Sequence, residues 1–239
     1  MVDVLAIGAH PDDVELGIGG LIHKLTQGGA TVAVLDLTRG EMSSRGTPEE
    51  RHEEAQEAAR ILGVSERRSA ELPDSGVANT PKQRLEVIHA VRAFRPRVLL
   101  APMRNDRHPD HHAAHDLVRD ANYFAGLHTI DDGQEPYRTP NAYYYHPYFE
   151  DTVTPQLIID ISGHFEAKLA ALRAHASQFH NPDYDGANTY ISSERFWESI
   201  TTRAAYWGSR INAQYGEALS TLGPIGLTTL PGFGGAPCA

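Results

Sequence analysis

The chain carries a single cysteine, Cys238, next to its last residue, so no internal disulfide can form and an oxidising compartment is not implied. Cys238 reads as a free, inert thiol. Positive charge is also scarce. Lys and Arg total 21 against 31 Asp and Glu, a formal net charge of −10, which argues against a binder of nucleic-acid phosphates or of a membrane surface. Small-molecule ligands fit better. Long apolar runs are missing, because each is strand-sized, and Asp3 interrupts the place where a secretory leader would lie. A soluble, cytoplasmic protein is expected. Repeats, low-complexity tracts and linkers are missing too. Residues 1–239 are therefore expected to be one domain, of a size that buries roughly 70 to 75% of its unfolded surface.

Histidine, by contrast, is abundant. Of 13 in the chain, His108, His111, His112 and His115 fall within eight positions, which raises the case for a metal site. The stretch around which the chain is organised is Ala9-His10-Pro11-Asp12-Asp13-Val14-Glu15. It follows the apolar run Val4 to Ile7, which lacks alternation as a strand covered on both faces should. It precedes Gly17, Gly19 and Gly20, which open a helix. Imidazole and carboxylate ligands thus stand at the carboxyl end of a central strand, where open α/β folds keep their chemistry. Mixed nitrogen and oxygen donors suit zinc or iron better than calcium or magnesium.

Leu16, Ile18, Leu21, Ile22 and Leu25 predict a helix stopped at Gly28-Gly29, and 31–38 a second strand, together a right-handed βαβ unit. Thr47-Pro48-Glu49-Glu50 predicts a helix with a capping box that runs to Gly63. A short strand over 69–72, a helix over 81–94 and a strand over 98–101 follow. The expected fold is a Rossmann-like, doubly wound, mostly parallel α/β sheet in the order 3-2-1-4-5, with helices on both faces. Beyond residue 127 the pattern is less regular. Tyr143-Tyr144-Tyr145 predicts a fifth strand of core aromatics, with a sugar platform as the sharper alternative. A strand over 157–161, a helix over 165–175 and a last helix over 197–211, with Ile200, Ala204, Trp207 and Ile211 inward, are expected. Residues 178–183 read as a connector, with closure over a ligand as the alternative. The Gly- and Pro-rich tail from Gly223 is expected to wrap the surface or pack on another subunit.

The second motif is Asn105-Asp106-Arg107-His108-Pro109-Asp110-His111-His112-Ala113-Ala114-His115. Pro109 suits the first helical position, which puts Asp110 and His111 in a first turn that favours neutral, ligating imidazole. In the expected strand order it faces His10 across the crevice. The spacing leaves His111 and His112 both open as ligands. Arg51 is a cation in the first turn of its helix, opposing the macrodipole at a cost of a few tenths to about 1 kcal/mol. It asks for an anionic partner, either Glu50 or Glu54 on the surface or a substrate.

With these residues in view, His10-Pro11-Asp12-Asp13 and His108-Pro109-Asp110-His111 resemble the LmbE/PIG-L family of zinc-dependent N-acetylglucosaminyl deacetylases. Asp36 to Glu41, Arg45-Gly46-Thr47, Arg51, Glu54-Ala55, Ser177-Gln178-Phe179 and Tyr215 to Ala218 are similar to the branch that deacetylates N-acetylglucosaminyl malate in bacillithiol biosynthesis. The resemblance implies His10, Asp13 and His111 as ligands of one Zn2+, Fe2+ being the other candidate, and Asp12 as general base. It implies His108, held by Asp110, as an imidazolium facing the oxyanion, and Arg51 as a substrate contact. It also implies a homo-oligomer, hexameric or trimeric. Where some members carry a Tyr that polarises the carbonyl, this chain has Phe196, so that either Tyr190 substitutes or the contribution is absent.

Amide hydrolysis by such a set uses an open zinc position for a water whose pKa falls towards about 7. Asp12 takes a proton and later passes one to the amine. Its bland alternative is a helix N-cap. A rival from another class is a nucleotide-binding module, but the glycines after the first strand miss the G-x-G-x-x-G spacing and the adjacent carboxylates repel pyrophosphate. A phosphoesterase would commonly use two metals. Deacetylation of another N-acetylglucosaminide or a chito-oligosaccharide is the nearer alternative.

Overall fold

The protein, described here over residues 1–146 and 154–226 from a computed structural model, is built on one seven-stranded sheet with helices on both faces. In chain order the elements are β1 (Val4–Gly8), α1 (Asp13–Gln27), β2 (Val32–Asp36), α2 (Pro48–Leu62), β3 (Glu66–Ser69), α3 (Pro81–Phe94), β4 (Val98–Pro102), α4 (Pro109–Ala125) and β5 (Asn141–Tyr145). There follow β6 (Leu157–Asp160), a turn of 3-10 helix, α5 (Phe165–Ala174), α6 (Glu194–Ser209) and β7 (Gly216–Ser220). The sheet order is β3-β2-β1-β4-β5-β7-β6. The first five strands are parallel, while β7 runs antiparallel to both of its neighbours. This is the doubly wound α/β fold expected from the sequence.

β1 is central and buried throughout because its side chains alternate between two cores. Leu5 and Ile7 face the core shared with α3 and α4, whereas Val4 and Ala6 face that of α1, α2 and α5. Loops leaving β1, β2 and β4 emerge at the same end, and the reversal of winding between β1 and β4 opens a crevice there.

Four details depart from the sequence reading. β3 occupies Glu66–Ser69 rather than 69–72 because its one buried side chain is Arg67, and Glu71, at φ 53°, turns the chain before Leu72. Arg67 donates to both oxygens of Asp36 on β2 and to Glu15 on α1, a polar strand with a polar anchor. α6 begins at Glu194, since Ser193 caps it through Phe196 N–H, and Ile211 lies beyond its end, largely exposed. β7 was hidden by its opening Gly216-Glu217. The roles foreseen for Cys238 and most of the tail fall on 227–239, outside the described residues.

The fourth departure concerns α1, which begins at Asp13 and breaks at Ile18 (φ −143°) before resuming. The restart is capped from far away. Glu217 of β7 accepts from Gly20 N–H at 3.0 Å and Leu21 N–H at 2.7 Å, and Lys168 of α5 neutralises it at 2.5 Å while donating to Leu16 O. The glycines let neighbouring side chains approach, since a Cβ on Gly17 would stand 2.6 Å from the Tyr145 ring and one on Gly19 3.3 Å from Lys168 Cγ. Both charges are buried, so removing one strands the other. Glu217→Ala is expected to cost about 3 to 5 kcal/mol of stability, read as a lower denaturant midpoint at unchanged m-value. A loss below about 1 kcal/mol would show that the pair is dispensable.

Candidate active site

Three segments meet in the crevice: the turn after β1, the loop after β2 and the start of α4. Together with residues 178–191 they line a cavity of about 310 Å³ that contains His10, Asp12, Asp13, Arg51, His108 and His111. Asp74 and Ser75, from the turn after β3, line it as well. The sequence marked that turn only as a turn.

Within the cavity, donor atoms converge. His111 Nε2 lies 3.2 Å from Asp13 Oδ1 and 3.3 Å from His10 Nδ1, and His10 Nδ1 lies 3.6 Å from Asp13 Oδ2. Ligand bonds of about 2.0 to 2.2 Å in a tetrahedral shell put neighbouring donors about 3.3 to 3.6 Å apart. The remote ring nitrogens are anchored. His111 Nδ1 is 2.8 Å from Asp106 Oδ2, and His10 Nε2 is 3.3 Å from both Asp110 Oδ2 and Asp74 Oδ1. Carboxylates behind imidazoles hold the proton on the far nitrogen and turn the near lone pair inward, the arrangement found around metal-ligating histidines. Two groupings of ligand atoms within 4.8 Å occur among the described residues: His10 with His108 and His111, and His10 with Asp74 and Asp110. The second grouping sits behind His10, where Asp74 and Asp110 already accept from the Met42 and Ser75 N–H groups. The inward-facing trio of His10, Asp13 and His111 fits a divalent ion better.

Geometry favours His111 over His112, a choice open in the sequence. His112 turns its Nε2 to the Asp106 carbonyl, and the buried His115 is 3.0 Å from Pro102 O. Neither lines the crevice.

Asp12 stands beside the trio without joining it. Its backbone adopts φ 150°, ψ −20°, a conformation rare for a residue with a Cβ and worth about 1 to 3 kcal/mol of strain. It makes no side-chain cap on α1. Burial pushes its carboxyl upward, which Arg51 partly offsets and Asp13 reinforces, so the net shift is up. Arg51 is almost fully buried: Nη2 reaches Asp12 Oδ2 at 3.3 Å and Pro11 O at 3.2 Å, and Nη1 donates to Gly40 O at 2.9 Å. The anionic partner that its place in α2 demanded is thus Asp12, neither Glu50 nor Glu54. Gly40, at φ 67°, is required here, because a Cβ would fall 1.8 Å from Arg51 Nη1.

His108 caps α4, its Nδ1 accepting from Asp110 N–H at 3.2 Å. A nitrogen that accepts carries no proton, so the ring donates through Nε2 as a neutral imidazole. Burial, then the neighbouring His10 and His111, lower its pKa in the same sense. The imidazolium and the carboxylate support foreseen for His108 are therefore corrected: the hold on its ring is Asp110's backbone, while Asp110's carboxylate goes to His10 and Ser75. Of the later segments, Gln178 and Phe179 line the crevice, but Tyr144 and Tyr145 are core, Tyr145 Oη donating to Ile7 O.

The PIG-L family profile, described as GlcNAc-PI de-N-acetylase, matches residues 5–122, which hold both motifs. Diacetylchitobiose deacetylase of Thermococcus kodakarensis is 32% identical across 95% of this chain and 86% of its own length. The chain belongs to the PIG-L family of de-N-acetylases. The conserved protein TT1542 of Thermus thermophilus superposes with a TM-score of 0.87 at 37% identity, covering 97% of this chain and 99% of that one. A protein described as a probable N-acetyl-alpha-D-glucosaminyl L-malate deacetylase 2 of Bacillus anthracis is 27% identical over 87% of this chain and 92% of its own.

For a PIG-L deacetylase the protonation of the trio has a measurable consequence. Burial lowers the pKa of His111, but Asp13 and Asp106 more than offset it, raising it to about 10, and His10 is raised likewise against its burial. Without metal both rings keep their protons to higher pH than a free imidazole, and an entering cation must expel them. Metal affinity is therefore expected to rise with pH between about 6 and 8, by roughly one to two decades per pH unit, with about one to two protons released per ion. Titration calorimetry in buffers of different ionisation enthalpy measures that release. Zero release would show that the rings already face the ion deprotonated.

Proposed function

We propose that this chain is a zinc-dependent hydrolase that removes the N-acetyl group from an N-acetylglucosaminyl glycoside. The observation that carries it is the convergence of His10 Nδ1, Asp13 and His111 Nε2 with Asp12 beside them, in a cavity about 310 Å³ in volume. A bound divalent ion supplies Lewis acidity and lowers the pKa of a water in the crevice. The chain's own residues do the rest. Asp12, buried and raised, takes a proton from the attacking water and returns one to the departing amine. His108 offers its Nε2–H to the oxygen that gains negative charge, a contact worth about 3 to 4 kcal/mol in other hydrolases. Arg51 holds Asp12 in its strained conformation, and Asp110 orients His10. The fixed frame leaves the crevice mouth for the aglycone.

The malate glycoside of bacillithiol biosynthesis is the second reading, favoured by the similarity to the Bacillus anthracis protein and by the cation Arg107 at the crevice wall. An Arg51 fork open to a substrate carboxylate does not support it, because Asp12 and two carbonyls occupy that fork. The similarity to diacetylchitobiose deacetylase favours a chito-disaccharide. A free-amine assay on N,N'-diacetylchitobiose, N-acetylglucosaminyl malate and N-acetylglucosamine tests the reading, amine release from at least one being expected. Metal loss abolishing no activity would overturn it.

Three substitution sets separate the roles. Asp12→Asn is expected to retain zinc and the fold while turnover drops by about 10²-fold or more, whereas His111→Ala loses zinc and His112→Ala keeps it. Full zinc in His111→Ala would displace His111 from the ligand set. Arg51→Ala is expected to lower kcat on charged and uncharged glycosides alike, and a loss confined to the malate glycoside would return Arg51 to substrate recognition.

A further inference from the structure

Outside the crevice two histidines face each other across a pair of helices. His23 stands on the resumed half of α1, and His164 ends the 3-10 turn that leads into α5. Their Nδ1 atoms are 3.0 Å apart. Both residues are half-buried, and the rings meet edge-on with centroids 5.1 Å apart. The backbone is fixed on either side of the gap. Asp160 accepts from Ser162 N–H at 2.9 Å and from the Ser162 hydroxyl at 2.6 Å, and Lys24 Nζ donates to the Asp160 carbonyl at 2.6 Å. A Cβ on Gly20 would stand 2.6 Å from Ile161 Cδ1, so the helix and the turn are in close contact beside the pair. Burial, then the facing His164, lower the pKa of His23, which favours the neutral, ligating form of that ring. The spacing also selects among cations. Bonds of about 2.0 to 2.1 Å from two nitrogens 3.0 Å apart close an angle of about 91 to 97° at the ion. A tetrahedral ion needs about 109° and holds its ligands farther apart, as in the crevice. Neighbouring positions of a square or octahedral shell stand at about 90°, the preference of Cu2+ and Ni2+ among nitrogen and oxygen donors.

We propose that His23 and His164 form a second cation site, for a divalent ion of square or octahedral preference such as Ni2+ or Cu2+, which clips α1 to the start of α5. Each ring ligates through Nδ1 and keeps its proton on Nε2. Among the described His, Cys, Asp and Glu side chains no third ligand atom lies within 4.8 Å of both, so water completes the shell and the ion is exchangeable. The clip acts on the half-helix that Glu217 caps, and α5 also carries Lys168, the partner of that cap. A bound ion thus ties the two helices together at a second, independent point. The site does not depend on the deacetylase reading.

The test uses the full chain without an affinity tag, loaded with zinc and freed of excess, and titrates it with Ni2+ by calorimetry. Elemental analysis measures the zinc retained afterwards. One saturable nickel site beyond the retained zinc is expected in the wild type and none in His23→Gln or His164→Gln. His52→Gln, which removes an exposed histidine of α2, is expected to keep it. In melting scans Ni2+ at about 100 times its Kd is expected to raise the wild-type Tm by about 5 to 10 °C and to leave both pair variants unmoved. Nickel binding that survives in both pair variants, or that proceeds only as zinc leaves, would overturn the proposal. So would a pair that takes Zn2+ more tightly than Ni2+, because the right-angled geometry would then be wrong. Absence of any saturable site beyond the zinc would reduce the pair to an N–H···N hydrogen bond and overturn it as well. If the crevice takes no zinc, a nickel site lost in both pair variants supports the proposal, and one kept in them rejects it. Scans without nickel show that each variant is folded, and His164→Ala replaces a Gln variant that is not.

Discussion

Everything at the carboxyl end of the sheet rests on the buried guanidinium of Arg67. It is held by both oxygens of Asp36, by Glu15 and by the Ala55 carbonyl, so one side chain ties β2, β3, α1 and α2 together directly under the crevice. Burial alone would raise the Glu15 carboxyl, yet Arg67 and His175 bring it down to about 2. Such a tie costs desolvation and returns little net stability, but it admits few alternative arrangements. Glu15 lies two residues from Asp13 and three from Asp12. The orientation of the first turn of α1 is thereby set by a contact that itself takes no part in the chemistry.

The same logic recurs one layer up. Each candidate functional group in the crevice is held by a polar partner: Asp12 by Arg51, His111 by Asp106, His10 by Asp110 and Asp74. Preorganisation of this kind keeps donors in place before substrate arrives, which is where much of the advantage of an enzyme over water lies. Asp74 shows how strong the hold is, since the hydrogen bond from His10 and that from Met42 N–H outweigh burial and keep its carboxyl at about 2.

Much of this was legible in the sequence, and what was missed shares a cause. Val4 to Ile7, the capping box at Thr47 and the Pro109 helix start were read correctly because each depends on neighbours in the chain. The strand order followed from the winding rule. β3 and β7 were misplaced or missed because their buried residues include charges, Arg67 and Glu217, whose partners lie far away in the chain. Arg51 was recognised as misplaced in a helix's first turn, but its partner, 39 residues earlier, could not be seen from spacing. His111 and His112 are adjacent, and only the direction of each ring distinguishes them. Long-range partners and ring directions are the two things that a one-dimensional pattern does not carry.

The capping of α1 by Glu217 spans 197 residues. During synthesis the helix that follows the His10-Asp13 turn is made long before its cap. Closing so long a loop is entropically slow and must be repaid by contacts made after closure. A nascent chain that has emerged only as far as β5 possesses His10, Asp13 and His111, yet lacks the carboxylate that lets α1 resume beyond Ile18. Maturation of the crevice thus waits for β7 rather than for the appearance of its own residues.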